Sequence, residues 1–202
     1  MRQAHRSRIL LIVGLCVLVT ACAVRPPEPS GREGGIALEQ WTPPTPPGNW
    51  RLSGRASLQL DGQGATASLG WRQAAAGYRI DLRGAFGAGS LRITGGDDGV
   101  RLRTADGGRY TADSPRELVR AVTGYDLPVS FLRHWVTGHP VPWLGGRVRL
   151  DAAGHPTMIR QGDWRIAYEG FRSVAGHDLP ERLAVERGTT SVRIAIRDWR
   201  IR

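Results

Sequence analysis

Apolar and polar residues alternate along most of the chain that follows residue 49. In the first such segment Leu52, Ala56 and Leu58 alternate with charged and hydroxyl-bearing residues, and a period of two is typical of a strand with one buried face. Turns rich in Gly and Asp, such as 95–99 and 106–108, separate the segments, which predicts an antiparallel meander. The predicted strands include residues 50–60, 65–71, 78–82, 91–93, 100–102, 109–112, 148–150, 164–168, 183–185 and 192–199.

The alternation stops between residues 113 and 140, where the apolar spacing becomes helical. Ser114 and Glu117 form a predicted capping box with proline at the first helical position, and Gly124 ends that helix. A second short helix begins at Pro128 and turns one apolar face inward, formed by Phe131, Leu132, Trp135 and Val136. The sequence thus predicts a curved antiparallel sheet with two or three short helices inserted. Because such helices cover a bent sheet only partly, the arrangement leaves room for an apolar cavity.

The first 22 residues have the pattern of a lipoprotein export signal. Arginines precede the apolar run Ile9–Val19, which is far shorter than the roughly 20 residues needed to span a bilayer as a helix. Thr20 and Ala21, both small, then precede Cys22. We therefore expect residues 1–21 to be removed as a signal peptide and the thiol of Cys22 to carry a diacylglycerol. An ordinary signal peptide with a chance cysteine is the alternative.

Composition divides the remaining chain into a tether and a folded domain. Residues 22–48 are rich in Pro and Gly, so we expect a lipid-anchored tether, stiffened as polyproline II near Pro47, with a short ordered piece at 36–41. Residues 49–202 form the predicted domain. Because Cys16 leaves with the signal and Cys22 is the lipid site, this domain has no disulfide and must fold on packing alone.

The net charge of the chain bears on the kind of molecule that it binds. The formal net charge is +10 at pH 7 with a pI near 11.1, and the chain contains arginine but no lysine. Loss of Arg2, Arg6 and Arg8 with the signal leaves about +7. Such charge would suggest nucleic acid for a cytosolic protein, but export argues against that partner. Attraction to anionic lipid, attraction to an acidic protein and the codon bias of a GC-rich genome stay open as explanations.

The residues that could carry catalysis form no recognisable set. His134, His139, His155 and His177 lack the spacing of a metal site, and the sequence holds neither a nucleophile elbow nor a Walker loop. The glycine-rich stretch 84–89 joins two strands, so no helix N-terminus follows it to bind an anion. We therefore predict that the protein is not an enzyme and has no metal or cofactor.

Two groups of apolar residues are not explained by strand packing. Phe86 lies in a glycine-flanked turn between Leu82 and Leu91, where polar or turn residues are usual. Either the turn folds back and buries the ring, or the ring enters a bilayer or an acyl-chain pocket. The tryptophans likewise suit a core or a lipid contact; those of the predicted domain are Trp50, Trp71, Trp135, Trp143, Trp164 and Trp199.

Taken in order, short motifs along the domain resemble the LolB family of outer-membrane lipoprotein receptors. The similarity covers residues 50–199 and includes the predicted lipidation site upstream. No single motif decides it, but the order and spacing agree. The matching stretches are Gly54–Arg55, Trp71, Leu82–Leu91, Gly108–Asp113, Thr123–Gly124, Leu127–Pro128, Leu132–Trp135 with Gly138 and Pro140, Trp164–Tyr168, Leu179–Pro180 and Asp198–Trp199.

The resemblance implies a mainly β fold, an incomplete antiparallel β-barrel of about eleven strands with short helices lidding an apolar cavity. It also implies a membrane-insertion loop at Gly84, Ala85, Phe86 and Gly87, with Phe86 at the position of an exposed Leu in the family. Apolar phase and the resemblance together give the candidates for an acyl-binding cavity. These are Trp50, Leu52, Trp71, Ile80, Leu82, Leu91, Leu132, Trp135, Trp164 and Ile166.

The resemblance further implies a task. Members of the family accept mature triacylated lipoproteins from the periplasmic carrier LolA and release them into the inner leaflet of the outer membrane. We therefore expect a monomer, anchored through Cys22 to the periplasmic face of the outer membrane of a Gram-negative cell, whose partners are LolA, cargo acyl chains and outer-membrane lipids. Ala23 agrees with this location, since Asp after the lipidated cysteine is the usual inner-membrane retention signal.

Four alternative classes of protein can each be distinguished from this interpretation by a specific feature. A structural or accessory lipoprotein of the same fold would bind no acyl cargo and would fill its interior with side chains, so a large cavity would count against it. The carrier LolA shares the fold but is soluble and lacks the lipidated cysteine. A lipid-modifying enzyme would need a nucleophile or metal set. A transmembrane barrel disagrees with short strands that are rich in Arg on their outward face.

Overall fold

Twelve strands and two short α-helices make up this computed structural model, which describes residues 34–85, 89–124 and 127–202. The predicted signal peptide, Cys22, and the loop residues Phe86 and Gly87 lie outside the described residues. The helices are a 3-10 turn at Leu38–Gln40, α1 at Pro115–Thr123 and α2 at Val129–Trp135. The strands are β1 Ile36–Ala37, β2 Trp50–Leu60, β3 Gln63–Ala74, β4 Gly77–Ala85, β5 Gly89–Gly96, β6 Gly99–Thr104, β7 Arg109–Ala112, β8 Gly146–Leu150, β9 Pro156–Gln161, β10 Trp164–Val174, β11 His177–Arg187 and β12 Thr190–Ile201.

All twelve strands belong to one antiparallel sheet, in the order β1-β8-β9-β10-β11-β12-β2-β3-β4-β5-β6-β7. Successive hairpins build β2–β7 and β8–β12, and β12 pairs with β2 to join the two halves. The order ends in β1 on one side and β7 on the other, so the described strands form an incomplete barrel. This confirms the predicted fold, with the two-residue β1 added to eleven longer strands.

Strict alternation brings buried side chains into rows across the concave face of the sheet. Leu52 lies opposite Trp71, and Trp71 lies opposite Ile80; directly paired residues share one face. The ring of Trp50 packs against those of Trp71 and Trp199 at centroid distances of 5.2 and 5.4 Å. One complete row runs through Trp199, Leu52, Trp71, Ile80, Ile93 and Leu102, all of them buried.

A β-bulge in β12 shifts the alternation by one residue. Ile196 pairs with Gly54, but Asp198 pairs with the next residue of β2, so Arg197 is the extra residue. A Cβ on Gly54 would lie 2.1 Å from the carbonyl oxygen of Ala195, so only glycine allows this approach. The guanidinium of Arg172 donates to the Ile196 and Arg197 carbonyls at 3.2 and 3.1 Å. The bulge lets both Ile196 and Trp199 face the interior.

The two helices begin and end where their sequence signals predict. The Ser114 hydroxyl accepts a hydrogen bond from the Glu117 amide at 3.2 Å, and Gly124 ends α1 with φ near +77°. In α2, Trp135 is fully buried, and Gly138 follows the helix with φ near +83°. No helix in the described part of the chain combines the length and apolarity needed to cross a membrane.

Residues 34–48, the later part of the predicted tether, lie along the edge of the sheet. Ile36 pairs with Val148 of β8, and the side chain of Trp41 packs against the core. The Nε2 of His139 donates a hydrogen bond to the Pro44 carbonyl at 2.8 Å. The predicted ordered piece at 36–41 is thus a two-residue strand followed by one 3-10 turn. The division into tether and domain at residue 48 stays a prediction.

Side chains fill the concave face of β8–β11. The Gln161 side chain, fully buried, accepts from the Trp135 indole at 2.9 Å and from the Val141 amide at 2.8 Å. Its amide nitrogen donates to the carbonyls of Val141 and Leu144. The Tyr168 hydroxyl donates to the Trp135 carbonyl at 3.0 Å. One hydrogen-bonded network therefore fixes α2 and the following loop to this half of the sheet.

Candidate functional site

The concave face of β2–β6 encloses empty volume, whereas side chains fill the concave face of β8–β11. We call these two parts of the sheet the hollow half and the filled half. A cavity of about 590 Å³ lies between β2–β6, β12 and the two helices, within the range of small-molecule sites. Its walls are mostly apolar, with Ser57, Gln63 and Thr66 as polar members, so the cavity suits an apolar ligand. The lining residues include Leu58, Leu60, Leu69, Trp71, Ile80, Leu82, Leu91, Ile93, Leu102, Val192 and Ile194 from the strands.

Small residues at facing positions account for the empty volume. Ala56 of β2 pairs directly with Ala67 of β3, and Leu58 pairs with Ala65. All four line the cavity. Two methyl groups facing each other on adjacent strands leave unfilled the space that two larger aliphatic side chains would occupy. The cavity is therefore a property of the sequence of β2 and β3.

The helices provide the remaining wall of the cavity. Val119 and Val122 from α1 and Val129 and Leu132 from α2 line it, together with Leu127 between the helices. Helix α1 packs on α2 and on β6 and β7. Because the helices cover the hollow with aliphatic side chains, a ligand held there would be screened from water on that side.

The structure brings five of the ten predicted cavity residues together. Trp71, Ile80, Leu82, Leu91 and Leu132 line the hollow. The other five are buried in the packed core and do not line this cavity: Trp50, Leu52, Trp135, Trp164 and Ile166. Alternation shows which face of a strand is buried, but it does not show where along the strand the interior is filled. Acyl binding by the five lining residues stays a prediction.

Sequence reasoning missed the residues that create the cavity volume. Ala56, Ala65 and Ala67 line it, as do the helical valines, yet only large apolar residues were considered as candidates. A signal was available, because alanines at in-phase positions of two consecutive strands meet across a hairpin. In a packed core such positions normally carry larger side chains.

The predicted insertion loop follows a β-bulge at the end of β4. The register shifts between Arg83 and Ala85, and Gly84 has φ near +80°, a conformation that favours glycine. A Cβ on Gly84 would have no atom within 4 Å, so the backbone conformation alone favours glycine here. Gly84 and Ala85 thus end β4, whereas Phe86 and Gly87 lie outside the described residues.

The histidines and the remaining tryptophan take structural or surface positions. Trp143 is 62% exposed, and its ring meets His134 edge-on at 5.5 Å. Burial, with the nearby charge of Arg133, lowers the pKa of His134 to about 4. Among the described residues, no three His, Asp or Glu side chains form a group that could hold a metal ion.

Comparison with known proteins agrees with this geometry. A family described as "Outer membrane lipoprotein LolB" matches residues 48–199. The chain is 42% identical over 195 residues to the outer-membrane lipoprotein LolB of Alkalilimnicola ehrlichii, covering 94% of this chain and 96% of that protein. It is 41% identical over 152 residues to the protein of the same name from Halorhodospira halophila, covering 75% of each. The corresponding protein of Stutzerimonas stutzeri is 31% identical over 196 residues, covering 96% of this chain and 95% of that protein. Matches of this extent show that the chain belongs to the LolB family.

Proposed function

We propose that the protein is a lipoprotein receptor of the outer membrane, which accepts mature triacylated lipoproteins from the carrier LolA and inserts them into the inner leaflet. The observation that carries this proposal is the aliphatic cavity of about 590 Å³ in a chain of the LolB family. The related proteins are named outer-membrane lipoproteins.

The energetics of acyl chains explain why a cavity is needed. Exposing an acyl chain to water costs about 0.8 kcal/mol per methylene, so a sixteen-carbon chain costs on the order of 12 kcal/mol. A cargo with up to three chains therefore has to pass from one apolar environment directly into another. The sequence holds no nucleotide-binding motif. Transfer is then driven by rising affinity from the carrier to this protein and from this protein to the membrane.

Anchoring at Cys22 keeps the receptor at its destination. More than one acyl chain makes membrane attachment stable, and residues 22–33 then link the lipid to the edge of the sheet. In this proposal a monomer on the periplasmic face of the outer membrane meets LolA, takes the cargo chains into the cavity and passes them to the leaflet. The side chain of Phe86, at the predicted insertion loop, contacts the bilayer and gives the chains an apolar path.

An accessory lipoprotein that binds no acyl cargo is the alternative within this fold. Such a protein has no use for an unfilled apolar volume, which weakens packing. Ala56 and Ala67 lie side by side on the wall of that volume, whereas the buried residues of β8–β11 belong to the packed core. The cavity therefore favours the receptor.

A transfer assay tests the proposal. The mature chain, residues 22–202 with Cys22→Ser, is mixed with LolA loaded with a triacylated lipoprotein, and liposomes of outer-membrane lipid composition are then added. Cargo should move first to the receptor and then to the liposomes. Phe86→Glu should stop only the second step, because a buried carboxylate opposes bilayer entry, while the control Phe86→Leu keeps both steps. Cargo that never leaves LolA would contradict the receptor function.

A further inference from the structure

A second, smaller pocket lies at the other end of the hollow half. Its volume is about 300 Å³, and it is enclosed by the turns that precede β4 and β6, the start of α1 and the first turns of α2. Trp71, Ile80 and Val129 line both this pocket and the aliphatic cavity, so the two are neighbours along the barrel. Strand β4 begins at the pocket with Gly77 and ends at the predicted insertion loop with Ala85.

The walls of this pocket are polar where those of the cavity are mostly apolar. Gln73, Tyr78, Ser130 and Arg133 contribute to its lining. Three buried polar atoms belong to its lining residues and have no hydrogen-bond partner among the described residues: the Trp71 indole nitrogen, the Gln73 amide oxygen and the Tyr78 hydroxyl. Buried polar groups in folded proteins are nearly always paired, and leaving one unpaired costs free energy.

Gln161 in the filled half shows how a buried glutamine of this protein can be paired. Gln161, the buried glutamine of β9, makes hydrogen bonds through both its oxygen and its nitrogen. Gln73, in contrast, uses only its nitrogen, which donates to the adjacent Ala74 carbonyl at 3.1 Å. Two buried atoms elsewhere, the Arg172 Nε and the Ser191 hydroxyl, also lack a partner, but three of the five such atoms in the described residues belong to the lining of this one pocket, and that concentration points to a ligand.

The fold also places the ring of Tyr78 beside the pocket. Gly95 lies opposite Tyr78 on β5, and a Cβ on Gly95 would come within 2.5 Å of the tyrosine ring and hydroxyl. Glycine thus lets the ring lie across the strand. Burial raises the pKa of Tyr78, so its hydroxyl remains protonated and able to donate.

We propose that this pocket binds the ester and amide groups at the head of an acylated cargo, while the neighbouring cavity holds the chains. The inference rests on the proposed function and adds a polar subsite to it. The Tyr78 hydroxyl donates to an ester carbonyl oxygen, and the Gln73 oxygen accepts from an amide N–H. Because neighbouring side chains cover these atoms, pairing includes a rotation of the Gln73 or Tyr78 side chain toward the pocket.

This arrangement gives the cargo a direction in the barrel. The head lies at the start of β4, and the chains run along the cavity toward Leu82 and Leu91, near the end of β4. The chain ends then face the predicted insertion loop, so they reach the bilayer before the head does.

Two lipids that differ by one carbonyl test the subsite. The mature chain with Cys22→Ser is titrated with 1-palmitoylglycerol, an ester, and with 1-O-hexadecylglycerol, its ether counterpart, below their aggregation concentrations. The wild-type protein should bind the ester about three to ten times more tightly, the equivalent of one hydrogen bond. Tyr78→Phe should abolish this preference and leave the ether affinity unchanged. Tyr110→Phe is the matched control, since Tyr110 is 46% exposed and lines neither pocket.

The outcomes separate the subsite from the receptor function. Equal affinity for ester and ether in the wild type, or an ester preference that survives in Tyr78→Phe, would overturn the subsite alone. Binding of neither lipid would overturn the receptor function itself. Thermal unfolding gives a second readout: Tyr78→Phe should be at least as stable as the wild type, because it removes an unpaired buried hydroxyl. A marked loss of stability would show that the hydroxyl supports the fold and would count against the subsite.

Discussion

The two halves of this sheet are built from the same alternating strands but have opposite interiors. Over β8–β11 the concave face is filled, and Gln161 joins Trp135 and the following loop in one network. Over β2–β6 small residues such as Ala56 and Ala67 leave a cavity of about 590 Å³. The comparison teaches that one sheet can keep a packed, hydrogen-bonded part separate from a part with empty volume for a ligand. The filled half supplies the stability that the hollow half gives up.

The largest expected effect comes from breaking the network in the filled half. Gln161→Leu would leave the Trp135 indole, the Val141 amide and the Leu144 carbonyl without partners, whereas the Val141 carbonyl keeps its bond from the Leu144 amide. Each unpaired buried group costs roughly 1 to 3 kcal/mol, so the free energy of unfolding should fall by about 3 kcal/mol or more. Urea unfolding measures this loss.

Gln63→Leu provides the matched control for that variant. Gln63 is exposed at the rim of the cavity, so the same chemical change should alter stability by no more than about 0.5 kcal/mol. If the two variants unfold at the same urea concentration, the filled half does not carry the stability assigned to it here.

Filling the cavity should separate binding from folding. Ala56→Leu combined with Ala67→Leu occupies space next to β2 and β3 that we assign to an acyl chain. Displacing two or three methylenes, each worth about 0.8 kcal/mol, weakens palmitoyl binding at least about tenfold. Folding should be nearly unaffected, because the added atoms enter empty volume. Fluorescence titration with a labelled fatty acid measures the affinity, and urea unfolding measures the stability.

The same kind of enlargement in the filled half should have the opposite effect. Val185 is fully buried there, and Val185→Leu adds a methylene to a packed core, which typically costs about 1 to 3 kcal/mol. Its affinity for the labelled fatty acid should not change. A double leucine variant that binds as tightly as the wild type would show that the chain lies elsewhere.

The sequence predicted the fold well because the fold depends on local patterns. Alternation located ten of the twelve described strands but not β9, and Ser114 and Gly124 marked the ends of α1 through interactions that lie within one or two turns. The two-residue β1 was not predicted as a strand, because its pairing with Val148 depends on a contact more than a hundred residues away.

The site was predicted only in part, for a related reason. Trp71 and Trp164 are both buried tryptophans on strands, yet Trp71 lines the cavity and Trp164 belongs to the packed core of the other half. Phase shows which face of an element is buried, whereas the position of empty volume depends on which small residues meet across strands. The Ala56–Ala67 pair follows from hairpin register, and the helical valines that complete the wall follow only from tertiary packing.

A pH-dependent loss of stability should arise at the junction of α2 and its following loop. His134 accepts a hydrogen bond from the Arg133 Nε at 3.1 Å, and burial holds its pKa near 4, below the usual 6.5. The unfolded chain therefore binds a proton at a higher pH than the folded chain does. Stability contributed by neutral His134 is present above about pH 6.5 and is lost progressively as the pH falls toward 4.

Unfolding at pH 7 and pH 5 tests this assignment. The wild type should lose more stability between the two values than His134→Phe, which cannot take up the proton. His177→Phe is the control, because the charge of His177 acts on His139 in the loop after α2, and this variant leaves the imidazole of His134 in place. Identical pH profiles for the wild type and His134→Phe would show that His134 does not contribute.

The smallest expected effect compares the outer faces of the two halves. On the hollow half, Arg72 lies directly between Arg51 and Arg79, and the charge of Arg72 lowers the pKa of Arg51. On the filled half, Arg182 pairs with Glu169 at 3.2 Å. Like charges directly opposite each other on neighbouring strands are destabilising, while opposite charges are mildly stabilising.

Arg72→Gln should therefore raise the Tm by about one to two degrees at low salt, whereas Arg182→Gln should leave it unchanged or lower it slightly. Both differences should vanish in 1 M salt, where the Debye length is about 3 Å. A fall in Tm for Arg72→Gln at low salt would mean that the arginine row is held by favourable contacts, and the outer faces would then not differ in the way that the interiors do.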